Sequence, residues 1–492
     1  MKTVLEHARE IPVIAEVDVL VLGGGPAGIG AAIAAARNGA STLLVERYGF
    51  LGGNLTIAMV NPMFTFHDIH GKQVIRGIPG ELVDRLVAFC ASSGHVTDLT
   101  FDNASMTPFD PEGMKIVLLD MVAESGAQTL LHSQVAGVVR DGNNVSAVIL
   151  ESKSGRQAVS AKMVIDCTAD ADVAARAGAE FILGRQSDGA MQPVTLFFRI
   201  GDIDYDRLRS WMKANRHLLK GQPTDKEIDS QEAIAFLGLN GLMEQAQKDG
   251  ELDCNIAPRA LLYQLPGRGQ IAVNCTRLQN IDGTNAQHLT HAEFETRHQA
   301  WEVYRFLKKH VGGFEDSIML DSGVQVGVRE TRHVVGDYRM VRADVLTDQQ
   351  FSDGIACGTF AIDIHPPEGG KQVFTGSGKA VYEIPYRCCT PKGFDNLLVA
   401  GRCIDATHEA FGSARVMATA MAIGQGVGTA AAMAASEGLT TRQVDIPRLR
   451  KTLVEQDVYL LGENTPLVKE AKLVLDRPAT SGAAASHHDP FQ

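Results

Sequence analysis

Three glycines, Gly23, Gly25 and Gly28, stand in the spacing G-x-G-x-x-G, and Glu46 follows the last of them by 18 residues. Each position suits the binding of a pyrophosphate. Gly23 permits a tight turn, Gly25 lets backbone come against the phosphates, and Gly28 allows a helix to pack closely on a strand. Pro26 and Ala27 lie between them at the start of that helix, whose free N–H groups and positive dipole end face the phosphates. Glu46 is placed to accept the adenosine-ribose hydroxyls and to repel a 2′-phosphate. The pattern describes a dinucleotide site and by itself does not say which dinucleotide.

Other residues have types and positions suited to a substrate. His365 ends an apolar stretch, FAIDIHPP, before a Pro-Pro break; a catalytic role and a hydrogen-bonded place at a domain seam suit it equally. In VGVRETRHVVGDY, Arg329 and Arg332 are three apart with His333 beside them. They fit an anion clamp, and fit better a structural set with Glu330 and Asp337. His408-Glu409 offers a general base or a loop brace. His67, Asp68 and His70 lack further spaced ligands, so no metal is assigned. The vicinal Cys388-Cys389 reads as buried thiols.

The elements that must position these groups are legible in part. VDVLVL runs into the glycine cluster, AGIGAAIAAARNGA forms a helix capped at Asn38-Gly39, and TLLVE is a second strand ending in Glu46. This β-α-β context within about 30 residues gives the motif its meaning. A helix is expected around Pro111–Ser125, then two strands joined by a turn at Asp141–Asn144. Mixed strands and polar helices occupy 190–385, read as a substrate domain. A strand, a loop and a long Ala/Gly helix follow. The expected division is a nucleotide domain over 1–189 and 386–440, a substrate or cap domain over 190–385, a helical extension over 441–478 and a disordered tail over 479–492.

Composition bounds the function. A net charge of −12 over 492 residues gives no broad cationic footprint for nucleic acid. Eight cysteines without a C-x-x-C pair argue against a disulfide framework. The apolar runs are rich in Gly and Ala, as in buried Rossmann elements, so no membrane span is expected. A cytoplasmic location is the simplest reading, with homo-oligomers open.

After Glu46 the chain reads R-Y-G-F-L-G-G-N-L-T, and further on VIDCTADADVAARAGA and IPYRCCTPKGFDNLLVAGRCIDATHEAFGSARVMATAMAIGQGVGTAAAMA. In these segments, spread from residue 17 to about 435, the sequence resembles the FAD-dependent oxidoreductases of the glutathione-reductase-like type. The resemblance implies an α/β fold: a Rossmann-like, GR2-type FAD-binding domain with an inserted mixed α+β substrate domain. It implies cofactor contacts from Arg47, Gly52, Gly53 and Asn54, from Val135, and from Ala169, which stands where the family has glycine. Gly401 and Arg402 would reach the ribityl and pyrophosphate region. Phe411, Gly412 and Ser413 would lie at the pyrimidine edge of the flavin, with a helix from about Ala414 to Ala435 aiming its dipole at the ring. Some relatives attach FAD through a histidine before the Gly-Gly element; ERYGFLGG has none, so noncovalent FAD is expected.

There is one complete dinucleotide fingerprint and no C-x-x-x-x-C pair, unlike the pyridine-nucleotide disulfide reductases. The resemblance therefore implies a dehydrogenase or oxidase that moves a hydride from a small polar organic substrate to flavin N5. The electrons would then pass to oxygen, a quinone or an electron-transfer protein. His365, His408 and Arg332 are its candidate catalytic residues. A flavin-dependent monooxygenase using NAD(P)H is the alternative enzyme, and a non-catalytic flavin-binding scaffold or sensor is the alternative of another class.

Overall fold

The computed structural model describes residues 2–463 except 102 and 377–379. The proposed tail at 479–492, and the 464–478 part of the helical extension, lie outside the described residues. Strand Val13–Leu22 leads into helix Pro26–Arg37 and strand Thr42–Val45. Residues 19–22 and 42–45 are buried throughout, which explains their unbroken apolar character: a parallel strand covered on both faces has no polar side. In the main sheet the order is Gln128–Leu130, Thr42–Val45, Val13–Leu22, Gly155–Asp166, Asn144–Ser152 and Gln134–Asp141. The last two form a hairpin whose register closes at Asp141 opposite Asn144, with Gly142 at φ +57° in the turn.

Strand Gly155–Asp166 has two neighbours along one side. Its first half pairs antiparallel with the hairpin, and Val164–Asp166 pair parallel with Leu397–Val399. A strand from the far end of the chain thereby enters the nucleotide sheet. Its register sets Val399 beside Asp166, and Asp166 in turn is beside Leu22. The long helix Met417–Glu437 packs across helix Pro26–Arg37 at Gly30, Gly424 and Gly428. Any β-carbon there would meet backbone of the opposite helix, so the helices approach as only glycine allows.

A second unit is built on a five-stranded antiparallel sheet in the order Ala235–Gly238, Ala260–Gln264, Ile271–Asn274, Phe198–Gly201, Ile318–Ser322. Helix Ala286–His310 packs its buried face, including Val303, Phe306 and Leu307, into this unit's core. That core takes side chains from Val194 to Val328. Val334, Ile355, Ile362, Tyr382 and Ile384 pack instead in the first core. The change of core therefore falls before Val334, not at the expected boundary of 385. The strands after residue 330 are short and mixed with polar residues, so their pattern resembles the inserted unit although their packing does not. No single helix among the described residues is long and apolar enough to cross a membrane.

Candidate functional site

Four parallel strands deliver their carboxyl ends to one cleft. The N–H of Gly23 donates to the Val45 carbonyl at 2.8 Å, that of Cys167 to Leu22 at 2.8 Å, and that of Ala400 to Asp166 at 3.1 Å. The loops that follow those strands line a cavity of about 350 Å³. Gly23, Gly25, Pro26, Ala27, Glu46 and Arg47 face it, as do Gly53, Asn54, Val135 and Ala169, and finally Gly401 and Arg402. This is the crevice beyond the strand ends where open α/β sheets bind ligands.

Glu46 is nearly buried, and its two oxygens accept from the N–H groups of Gly24 at 2.7 Å and Tyr48 at 2.9 Å. The acid thus holds the glycine turn as well as facing the cleft. Arg47 donates to Gln325 of the second unit at 2.7 Å, bridging the cleft mouth. Asp166 is fully buried; it accepts from the N–H groups of Val173 and Ala174 at 2.9 Å each and from Thr168 at 3.0 Å. Those bonds fix the loop in which Ala169 adopts φ +69°, a left-handed conformation that explains why glycine suits this position.

Gly28 and Gly52 act one layer away from the cavity. A β-carbon on Gly28 would stand 1.8 Å from the Gly23 carbonyl, so it closes the helix onto the turn. Gly52, at φ +120°, donates from its N–H to the Gly24 carbonyl at 2.8 Å.

The C-terminal segment needs a correction. The expected long helix from about Ala414 runs over Met417–Glu437, and the stretch before it, expected as a loop, is a short helix, His408–Ala414, with a bend of 91° between the two. Phe411, Gly412 and Ser413 belong to the short helix, are buried and do not line the cleft cavity. Phe411 stacks edge-on against His333, and Ser413 shares hydrogen bonds with Tyr382 and the Phe360 carbonyl. Gly412 faces Asp363 and Ile364. The cleft wall is formed by Arg415, Met417 and Ala420, at the bend and the start of the long helix.

The cleft fits FAD by its donors. Arg402 pairs with Asp170 at 2.7 Å, yet its Nη1 is buried without a partner. Arg415 donates from Nη2 to the Asp363 carbonyl at 3.2 Å, while its Nε is likewise buried and unpaired. Two buried guanidinium donors left over at one cleft require acceptors such as phosphate or a flavin carbonyl. Gly25, with only Gly53 near its absent β-carbon, leaves the pyrophosphate approach open.

The three candidate catalytic residues are scattered. Arg332 donates to the Asp170 carbonyl at 2.8 Å and pairs with Asp172 at 3.4 Å, bracing the cleft loop from behind. His408 Nδ1 lies 2.8 Å from Glu330, and His333 Nε2 lies 3.0 Å from the same carboxylate. Burial would raise Glu330, but its bonds to His333 and His408 prevail and hold it at about 2. This is a buried structural triad outside the cleft wall. His365 lines a different cavity, of about 550 Å³, between the two units. Burial and then the charge of Arg329 pull it down to about 3, so its ring is neutral and weakly basic. His67 Nδ1 is 2.9 Å from Ser105, and Asp68 accepts from the N–H groups of His70 and Lys72. Cys388 and Cys389 are buried, and burial pushes the Cys388 thiol well up.

A family model described as FAD dependent oxidoreductase matches residues 18–453. No curated protein matches the chain. Solved structures to which the chain is similar include a geranylgeranyl bacteriochlorophyll reductase-like protein from Thermoplasma acidophilum. It is 15% identical, with 90% of this chain and 84% of that one covered and a TM-score of 0.47. A p-nitrophenol 4-monooxygenase from Pseudomonas putida is 12% identical, with 90% and 86% covered and a TM-score of 0.46. A flavin-dependent brominase triple mutant gives the same 12%, 90%, 86% and 0.46. None of the three reaches a TM-score of 0.5, and their activities are their own.

Proposed function

The chain belongs to the FAD-dependent oxidoreductase family, and from that premise we propose that it is a dehydrogenase or oxidase of a small polar organic substrate. The observation that carries this reading is the pair of neighbouring cavities. One is the FAD cleft, walled at one end by Arg415; the other is the 550 Å³ space lined by His365. Arg415 and His365 both contact Asp363, at 3.4 and 3.5 Å, so the two cavities share a wall. FAD, when bound, supplies at N5 the acceptor for a hydride. The chain's own contribution is orientation. Gly25 and Arg402 hold the pyrophosphate end, Glu46 the ribose, Arg415 and the start of helix Met417–Glu437 the flavin end. His365, whose Nε2 lies 3.1 Å from the Gln372 amide nitrogen, lines the neighbouring cavity in which the substrate would be oriented.

An anaerobic screen for loss of the flavin band near ~450 nm tests the reading. Bleaching by an organic acid, alcohol, sugar or amine supports it. Rapid bleaching by NAD(P)H with none by the organic donors would replace it with a monooxygenase. Retention of oxidised flavin against the whole panel would leave a scaffold or sensor.

A further inference from the structure

The cavity beside His365 has a charge pattern that the protein as a whole lacks. Among the described residues, Lys220, Arg259, Arg277 and Lys371 line it, against one acid, Glu244, in a chain whose net charge is −12. The two arginines come from matched places in the five-stranded sheet. Arg259 immediately precedes strand Ala260–Gln264, and Arg277 follows its antiparallel partner Ile271–Asn274. The pairing of these strands, with Leu261 opposite Asn274, brings both arginines to the same end of the sheet.

Their hydrogen bonding is incomplete. Arg277 donates from Nε to the Asn255 carbonyl at 3.2 Å and from Nη1 to Gly370 at 3.0 Å. The Arg259 side chain has no hydrogen bond or ion pair among the described residues, although Asp363 is within electrostatic reach. Both guanidiniums are partly buried, and burial pulls both down from the ordinary arginine range; for Arg277 the neighbouring charge of Arg259 adds to the effect. Arg329 and Arg415 add further positive charge on the side of Asp363. A partly desolvated cation without acceptors, next to another cation, is relieved by an anion held between them. Phe101, Phe374, Leu237 and Pro193 give the cavity an apolar stretch of wall, beside the polar Asn240, Gln247 and Gln372.

We propose that this cavity binds the substrate as an organic anion, its carboxylate or phosphate head held by Arg259 and Arg277 and its apolar body against Phe101 and Phe374. The assignment rests on the oxidoreductase reading above for the word substrate, and on the cavity alone for the anion. Charge selection here also matches the neutral state of His365, which leaves the arginines to hold the head.

The test is calorimetric titration of the oxidised, FAD-loaded protein, in which the dinucleotide cleft is filled. The probes are phenylacetate, phenyl phosphate, the neutral phenylacetamide and inorganic phosphate. Phenylacetate or phenyl phosphate is expected to bind at least about ten-fold more tightly than phenylacetamide and, for the second, than inorganic phosphate. The stronger of the two identifies the head. Arg259→Gln and Arg277→Gln should each weaken that probe about ten-fold, while Arg259→Lys recovers part of the loss and FAD content stays at the wild-type level. Equal binding of phenylacetate, phenyl phosphate and phenylacetamide by the wild type would overturn the proposal without any variant. So would anion affinity unchanged in Arg259→Gln. Because the readout is binding to oxidised protein, an anion bound without any flavin bleaching in the donor screen would sink the oxidoreductase reading and leave the anion site standing.

Discussion

Gly424 lies against the carbonyl of Ala27 so closely that a β-carbon would come within 2.0 Å of that oxygen. The two residues belong to the helices that open and close the nucleotide domain. Ala27 also lines the FAD cleft, so the contact transmits the position of one helix to the cofactor site. Gly424→Ala should therefore lower stability by about 1–3 kcal/mol through overpacking and reduce the FAD retained on purification. Denaturant unfolding together with flavin content per chain measures both. An alanine variant of wild-type stability would mean that the helices separate freely.

Glu46 binds its own turn through Gly24 and Tyr48 and presents the same carboxylate to the cleft. Its replacement by Ala removes a charged acceptor from a nearly buried site, and FAD binding should weaken by about 1–3 kcal/mol. Isothermal titration of the apoprotein with FAD gives the number. An unchanged dissociation constant would place the adenosine elsewhere.

Glu330 is fully buried between His333 and His408, with the positive charge of Arg415 nearby. Its folded value of about 2 lies below the ordinary 4.5. The stability it contributes is thus present above about pH 4.5 and lost as pH falls towards 2. Glu330→Gln should cost on the order of 3 kcal/mol at pH 7, and its deficit relative to wild type should shrink as the pH drops below 4.5. Chemical denaturation at a series of pH values checks the slope. A deficit independent of pH would show that the carboxylate's charge is not what the histidines hold.

ERYGFLGG offers no histidine for a flavin link, and FAD should leave the chain intact on heat or acid denaturation. Yellow colour remaining with the precipitate, measured after centrifugation, would contradict this.

Where the sequence was informative, the cause was local. Gly23, Gly25 and Glu46 sit within one strand-helix-strand unit, so spacing alone carries their geometry. Gly401 and Arg402 became legible through family resemblance, since the pairing of Leu397–Val399 beside Asp166 is a long-range event with no local signature. The stretch His408–Ala414 reads as a loop because its helix has only seven residues and its partners, His333 and Tyr382, come from distant parts of the chain. A Gly412→Val change presses on Asp363 and Ile364. Arg259 and Arg277 were invisible for a further reason. They meet only through the pairing of two strands, and each alone looks like an ordinary surface arginine.

Arg415 offers a test of which end of the cleft holds the flavin. It stands at the bend between helices His408–Ala414 and Met417–Glu437, with an unpaired buried Nε and with Nη2 tied to Asp363. Burial lowers its pKa, yet the charges of Asp363 and Glu330 oppose that fall. The start of the long helix adds its own positive end beside Met417. If the isoalloxazine lies here, both favour the extra negative charge that the ring gains on reduction. Arg415→Gln should then lower the two-electron potential of the bound flavin by about 30 mV or more, equivalent to ~1.4 kcal/mol. Arg415→Lys should recover part of the shift, since it keeps charge but loses the planar donor set. Glu46→Ala, at the adenosine end, should weaken affinity and leave the potential where it was. Dye-equilibrated reductive titration reads the potential independently of any substrate. A potential unmoved in Arg415→Gln, with FAD still bound, would put the flavin at the opposite end of the cleft.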